Sequence, residues 1–114
     1  MALIYKIEDK KIWNEALKSG RYDGAPIDLS DGYIHFSTAG QARETADKHF
    51  AGRENLIIAA FDTAALEPFL KWEISRGDAL FPHYYGKLDM KAVVQTFDLP
   101  VGADGKHIFD ETIC

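Results

Sequence analysis

Apolar and polar positions alternate along this chain in short blocks, and the period of alternation changes several times, each change marking an expected element. Residues 2 to 7 pattern as a strand. Over residues 9 to 18 the period lengthens, placing Ile12, Trp13, Ala16 and Leu17 on one face of a helix that Gly20 stops. Asp23-Gly24, Pro26 and Asp31-Gly32 then make a passage of turns. Residues 33 to 37 return to period two, with Ile34 and Phe36 on one face of a strand and Tyr33, His35 and Ser37 on the other. Thr38 followed by Gln41 has the form of a capping box, which predicts a helix from there to residue 50 with Ala39, Ala42, Ala46, His49 and Phe50 along its inner side.

Residues 56 to 61 are apolar without interruption between Asn55 and Asp62, the pattern of a central strand buried on both faces. Residues 70 to 75 alternate again, which points Leu70, Trp72 and Ile74 inward and Lys71, Glu73 and Ser75 to the opposite face. Phe81-Pro82-His83-Tyr84-Tyr85-Gly86 reads as an irregular aromatic loop, and residues 92 to 97 as a last strand ended by Pro100. The tail from 102 to 114 is expected either to add a short edge strand or to drape on the surface. Helices and short strands in this order predict an α+β fold, with more strands than a doubly wound sheet of this length needs.

With 114 residues there is room for one core, so residues 1 to 114 are expected to form a single domain. A composition of 46% hydrophobic and 27% charged residues is that of an ordinary globular chain and excludes disordered, collagenous and membrane-spanning classes. The net charge of -5 repels a phosphodiester backbone, so neither a nucleic-acid nor a membrane partner is expected. Cys114 is the one cysteine, which leaves no intrachain disulfide or thiolate cluster. The amino terminus lacks the charged lead and long apolar core of a secretory signal, and a cytoplasmic location is the expectation. Nothing in the pattern decides the oligomeric state.

Three places carry candidate chemistry. At the junction of strand and helix, the first turn at Ala39 and Gly40 offers unpaired N–H groups to a phosphate, with Ser37 and Thr38 hydroxyls beside it and His35 placed to bind a ribose or act as acid or base. The alternative is that Thr38 and Gln41 only cap, with His35 bonded to a carbonyl. Glu73 is a carboxylate on a core-like strand, where it either contacts a ligand or pairs with Lys71 or Arg76. Around His83, the rings of Phe81, Tyr84 and Tyr85 either wall a pocket for a flat ligand or lid the core. No P-loop, dinucleotide glycine fingerprint, HExxH or nucleophile elbow is present, and His35, Glu73 and His83 are too scattered to predict a metal site.

Tyr5-Lys6-Ile7, Trp13, Asp31-Gly32-Tyr33-Ile34-His35-Phe36-Ser37-Thr38 with Gln41, Trp72-Glu73 and Phe81-Pro82-His83 with Tyr85-Gly86 together resemble a small bacterial family called domain of unknown function 952. Tyr84 departs from that pattern, which more often has an aliphatic residue there. The resemblance implies a fold similar to ADP-ribosyltransferases, in which a small, split, mostly antiparallel sheet with flanking helices encloses a cleft for NAD. It implies that His35 anchors a ribose, that Ser37 or Thr38 supplies a positioning hydroxyl, and that Glu73, with His83 sharing part of its role, holds the reacting ribose. Tyr33, Gly40 and Tyr85 complete the implied ligand-binding set. The expected function is ADP-ribosyl transfer or NAD hydrolysis on a nucleotide-like ligand, with NAD as substrate and no metal; the alternative is a noncatalytic module that senses a nucleotide or another anionic metabolite.

Overall fold

A computed structural model describes residues 2–75 and 79–113. Its centre is the uninterrupted apolar run. Strand β4 (Leu56–Asp62) lies between β1 (Leu3–Asp9) and β8 (Val93–Asp98), antiparallel to both. Because side chains alternate along a strand, Ile57, Ala59 and Phe61 enter one core with Trp13, Tyr22 and Phe36, while Leu56, Ile58 and Ala60 enter a second with Ala42, Ala46 and Leu99. Both faces are covered, which is why no polar residue interrupts the run. Phe61 packs edge-on to Phe36 and Trp13, with centroids at 5.3 and 6.3 Å. Emptying that position by Phe61→Ala would cost about 3–5 kcal/mol.

Helix α1 (Lys10–Ser19) begins where the Asp9 carboxylate accepts from Lys11 N at 2.8 Å, and it ends at Gly20, whose φ of 80° is the left-handed conformation that a C-cap glycine adopts freely. Trp13 and Ala16 are buried as expected, but Leu17 is exposed because the inner stripe is narrower than the apolar one. Strand β2 (Arg21–Tyr22) follows and pairs with β7 (Leu88–Asp89). The turns expected next contain a short helix, α2 (Pro26–Asp31), which is started by Pro26, capped at its N-terminus by the Asp28 carboxylate on Ala25 N at 2.8 Å, and closed at Gly32. Strand β3 (Ile34–His35) is shorter than the five-residue alternation suggested. Helix α3 (Ala39–His49) carries the predicted capping box: Gln41 N donates to the Thr38 hydroxyl and Thr38 N to the Gln41 side chain. Ala42 and Ala46 face the core; His49 does not.

After α4 (Thr63–Leu66), strands β5 (Leu70–Ile74) and β6 (Leu80–Tyr84) complete a second sheet in the order β3-β6-β5, and a single 3-10 turn, Met90–Ala92, leads into β8. The expected aromatic loop is therefore the middle strand of this sheet. Pro82 misled the sequence reading, since proline is usually confined to edges. Here its carbonyl accepts from Phe36 N at 3.0 Å, which carries the pairing one residue past His35, and the donor it lacks lies on that same side, so only the return bond to Phe36 is lost. The ladder to β5 loses no bond.

Trp72 and Ile74, expected inside, are 44% and 68% exposed. The core beneath this sheet takes in Ile34, Tyr84 and Leu70 and, in the next row, Phe36 and Pro82, but on edge strand β5 it stops after Leu70, so Trp72 and Ile74 overhang it. The tail neither adds a strand nor merely drapes, because Phe109 and Ile113 insert into the second core. All strand pairs are antiparallel, giving an α+β architecture. Among the described residues no helix is long and apolar enough to cross a membrane. Arg76, a sequence candidate for pairing with Glu73, and Cys114 lie outside the described residues.

Candidate functional site

The two three-stranded sheets meet at one point, an isolated bridge between Tyr5 of β1 and Ser37. Tyr5 N donates to Ser37 O at 2.7 Å and Ser37 N returns the bond to Tyr5 O at 2.9 Å. Beyond this bridge the strands diverge, and a cavity of about 560 Å³ occupies the fork. Hydrogen-bonding direction alternates along an antiparallel strand, so the N–H and C=O of Ile7, two residues past Tyr5, also point away from β4 and toward the fork. Ile7 is buried and lines the cavity, and among the described residues neither of these groups meets a hydrogen-bond partner. An unpaired main-chain donor and acceptor on a buried strand are unusual, and both are available to whatever enters the cavity.

His35 and His83 lie directly opposite each other on β3 and β6, and both line the cavity. The sequence expectation that distant polar strand faces converge thus describes these two histidines. Glu73 shares their face of the sheet but stands behind them. His83 is 3% exposed, its Nδ1 is 2.9 Å from Glu73 Oε1, and the same oxygen accepts from the Tyr85 hydroxyl at 2.5 Å. The Tyr85 and His83 hydrogen bonds lower the Glu73 pKa, so the carboxylate is ionised and acts as acceptor. With that carboxylate as acceptor the His83 Nδ1 carries a proton, and Nε2 has no protein partner among the described residues. Tyr33 stacks on the His83 ring with centroids 4.1 Å apart and planes at 29°, and it also contacts Tyr85 and His35. An imidazole clamped in this way is suited to take or deliver one proton within the cavity.

His35 is held by a different set of charges. Asp28, almost wholly buried, accepts from His35 Nδ1 at 2.5 Å, from His35 N at 3.1 Å and from Lys6 Nζ at 2.8 Å, and Asp31 lies 3.0 Å from His35 Nε2. Burial alone would raise the Asp28 pKa, but the His35 hydrogen bond and the Lys6 ammonium outweigh it and hold the carboxyl at about 2. Glu8, on the same strand face as Lys6, also lines the cavity; it accepts from Asp9 N at 2.7 Å and from the Tyr22 hydroxyl. Burial, followed by the neighbouring Glu8 charge, raises the Tyr22 pKa and keeps that hydroxyl a donor.

The remaining sequence candidates separate. Ser37 lines the cavity and its hydroxyl is 3.0 Å from that of Thr45. Thr38 and Gly40 do not line it: the Thr38 hydroxyl is spent on the helix cap, and Gly40 sits exposed on the first turn, so the expected phosphate position at this helix end is outside the fork. Tyr33 and Tyr85 act on His83 rather than on the cavity wall. Glu73, expected to touch the ligand, reaches the cavity only through His83. Sequence reasoning missed Lys6, Glu8 and Asp28. For the first two a signal existed, since Ile4, Lys6 and Glu8 share a face of a strand buried on both sides; for Asp28, in a run of turn residues, there was none. Among the described residues no three His, Cys, Asp or Glu side chains are placed to share a metal ion.

The same fold occurs in protein CC0527 from Caulobacter crescentus. Its crystal structure superposes with a TM-score of 0.93 at 43% identity, over 97% of both chains. Its solution NMR structure gives 0.84 at 46% identity, over 93% of this chain and 91% of that one. No curated protein matches the chain. The family model described as Protein of unknown function (DUF952) matches residues 7–96, and the chain therefore belongs to that family.

Proposed function

We propose that the fork between β1 and β3 binds NAD or another ADP-ribose-containing nucleotide, and that His83, oriented by Glu73, serves as the acid–base group for cleaving the ligand's N-glycosidic bond. The carrying observation is the buried His83 on the cavity wall, clamped at Nδ1 by Glu73 and with no protein partner for Nε2 among the described residues. Three further features support the ligand class. The cavity volume of about 560 Å³ lies within the range of nucleotide-sized sites. The Ile7 N–H and C=O, side by side on an open strand edge, match the acceptor and donor of a carboxamide. Lys6, paired with Asp28, brings an ammonium to the same wall, and His35 a ring hydrogen-bonded to the same carboxylate.

In the hydrolytic form, a water oxygen bonds to the anomeric carbon as the C–N bond breaks, and the bonding pair returns to the departing pyridine ring. The water proton passes to His83 Nε2. Positive charge grows on the ribose in the transition state, and Glu8, the carboxylate on the cavity wall, is the group placed to stabilise it. Glu73 is a positioning residue in this scheme. ADP-ribosyl transfer differs only in replacing water by an acceptor nucleophile.

Titration calorimetry against NAD, ADP-ribose and nicotinamide, followed by a nicotinamide-release assay, tests the reading. His83→Gln should bind with unchanged affinity and lose about 10²–10⁴-fold in turnover. Equal release by wild type and His83→Gln overturns the assignment. A noncatalytic sensor is the second reading, favoured by the Glu73 carboxylate being engaged by His83 and Tyr85 rather than by the cavity; binding without release would select it.

A further inference from the structure

Strand β5 is the open edge of the β3-β6-β5 sheet and carries large apolar side chains into solvent. Phe69 precedes it, Trp72 and Ile74 project from one face, and Leu80, directly opposite Ile74 on β6, extends the same patch. An edge of this kind invites pairing with another strand.

The direction of its free hydrogen-bonding groups follows from its ends. Tyr85 N donates to Phe69 O and Ser75 N to Ala79 O, so the odd-numbered positions bond inward to β6. The even-numbered ones, Leu70, Trp72 and Ile74, therefore turn their N–H and C=O outward. We propose that the partner for this edge is a second copy of the same chain, joined β5 to β5 in antiparallel register about a two-fold axis at Trp72.

Two features single out that occupant and that register. An isologous antiparallel pair centred on Trp72 sets Trp72 against its own copy and Leu70 against the copy of Ile74, so every outward N–H meets an outward C=O. The same register places Lys71 directly opposite the copy of Glu73, on the other face of the sheet, twice by symmetry. Both intramolecular hydrogen bonds to Glu73 fall on Oε1, so Oε2 is the atom turned to the incoming ammonium. A register centred on Lys71 or Glu73 would keep the outward groups in phase but set like charges directly opposite each other. Of the registers centred on Lys71, Trp72 or Glu73, the one on Trp72 pairs unlike charges.

Sedimentation equilibrium on the full chain tests this. The wild type should weigh twice its 12.8 kDa at high micromolar concentration. Trp72→Pro removes an outward N–H while leaving the ladder to β6 intact, and Lys71→Glu sets like charges across the axis; each should raise the dissociation constant at least ten-fold with circular dichroism unchanged. A wild type that stays monomeric at several hundred micromolar overturns the proposal, as does a dimer that survives both substitutions in folded protein.

Discussion

Replacing Asp28 by Asn should be the most damaging single-atom change in the molecule, and its effect should depend on pH in a defined direction. The Asp28 side chain is 1% exposed and accepts four hydrogen bonds, two of them from Lys6 and the His35 ring. The Lys6 side chain is itself only 7% exposed, so Asp28→Asn leaves an ammonium in the interior without its counter-charge. Breaking one half of such a pair costs about 3–5 kcal/mol, which for a chain of this size lowers Tm by roughly 10–20 °C. The pH dependence follows from the carboxyl being held at about 2 instead of 3.8. A depressed carboxyl contributes its stabilisation in full above the unfolded pKa and loses it as pH falls through the folded one. The shift of 3.8 to about 2 corresponds to about 2 kcal/mol. Urea denaturation of both proteins at pH 7, 4 and 2 reads the difference directly, because the other carboxylates titrate alike in the two chains. The gap should be widest at pH 7, persist near pH 5 and narrow by about 2 kcal/mol between pH 4 and 2. A gap below about 1 kcal/mol at pH 7, or one that does not change with pH, refutes the assignment of Asp28 as the anchor of this cluster.

Glu73→Gln should lower kcat for nicotinamide release by about 10²–10⁴-fold and alter its pH profile while leaving Kd unchanged, because His83 loses its enforced tautomer; an unchanged profile counts against the positioning role. The Tyr85 hydroxyl, pushed up to about 12 chiefly by its hydrogen bond to Glu73, should titrate lower in Glu73→Gln, as followed by NMR of ring-labelled tyrosine; a constant value would show that the bond does not persist in solution. Thr38→Ala should cost about 1 kcal/mol in thermal unfolding through the lost cap and leave nucleotide affinity untouched, whereas a parallel loss of affinity would return Thr38 to the site.

Much of this arrangement was legible because strands announce their faces. The alternation at Tyr33, His35 and Ser37 and again at Lys71, Glu73 and Ser75 identified two polar strand faces, and the capping box at Thr38 marked the start of α3 to the residue. What stayed hidden depended on neighbours distant in the chain. Pro82 is tolerated in a middle strand because the one donor it lacks faces Phe36, at the very end of the pairing with β3, and not the ladder to β5. Trp72 and Ile74 look like core residues until the edge of the sheet is seen to outrun the core. Glu73 was expected at a ligand; the structure bonds it to His83, two residues along β6 from its direct partner Phe81, a diagonal contact that only cross-strand register reveals. Lys6 reads as solvated from its chemistry and is buried because Asp28 folds back over it.

The orphan amide at Ile7 has an evolutionary corollary. Recognition through main-chain atoms, as proposed here, would survive any exchange of side chain except proline, so the second core, into which the Ile7 side chain packs, is what limits variation at that position. Ile7→Val should cost about 0.5–1.5 kcal/mol in stability and leave nucleotide affinity unchanged, whereas Ile7→Pro should erase the donor while sparing the ladder to β4.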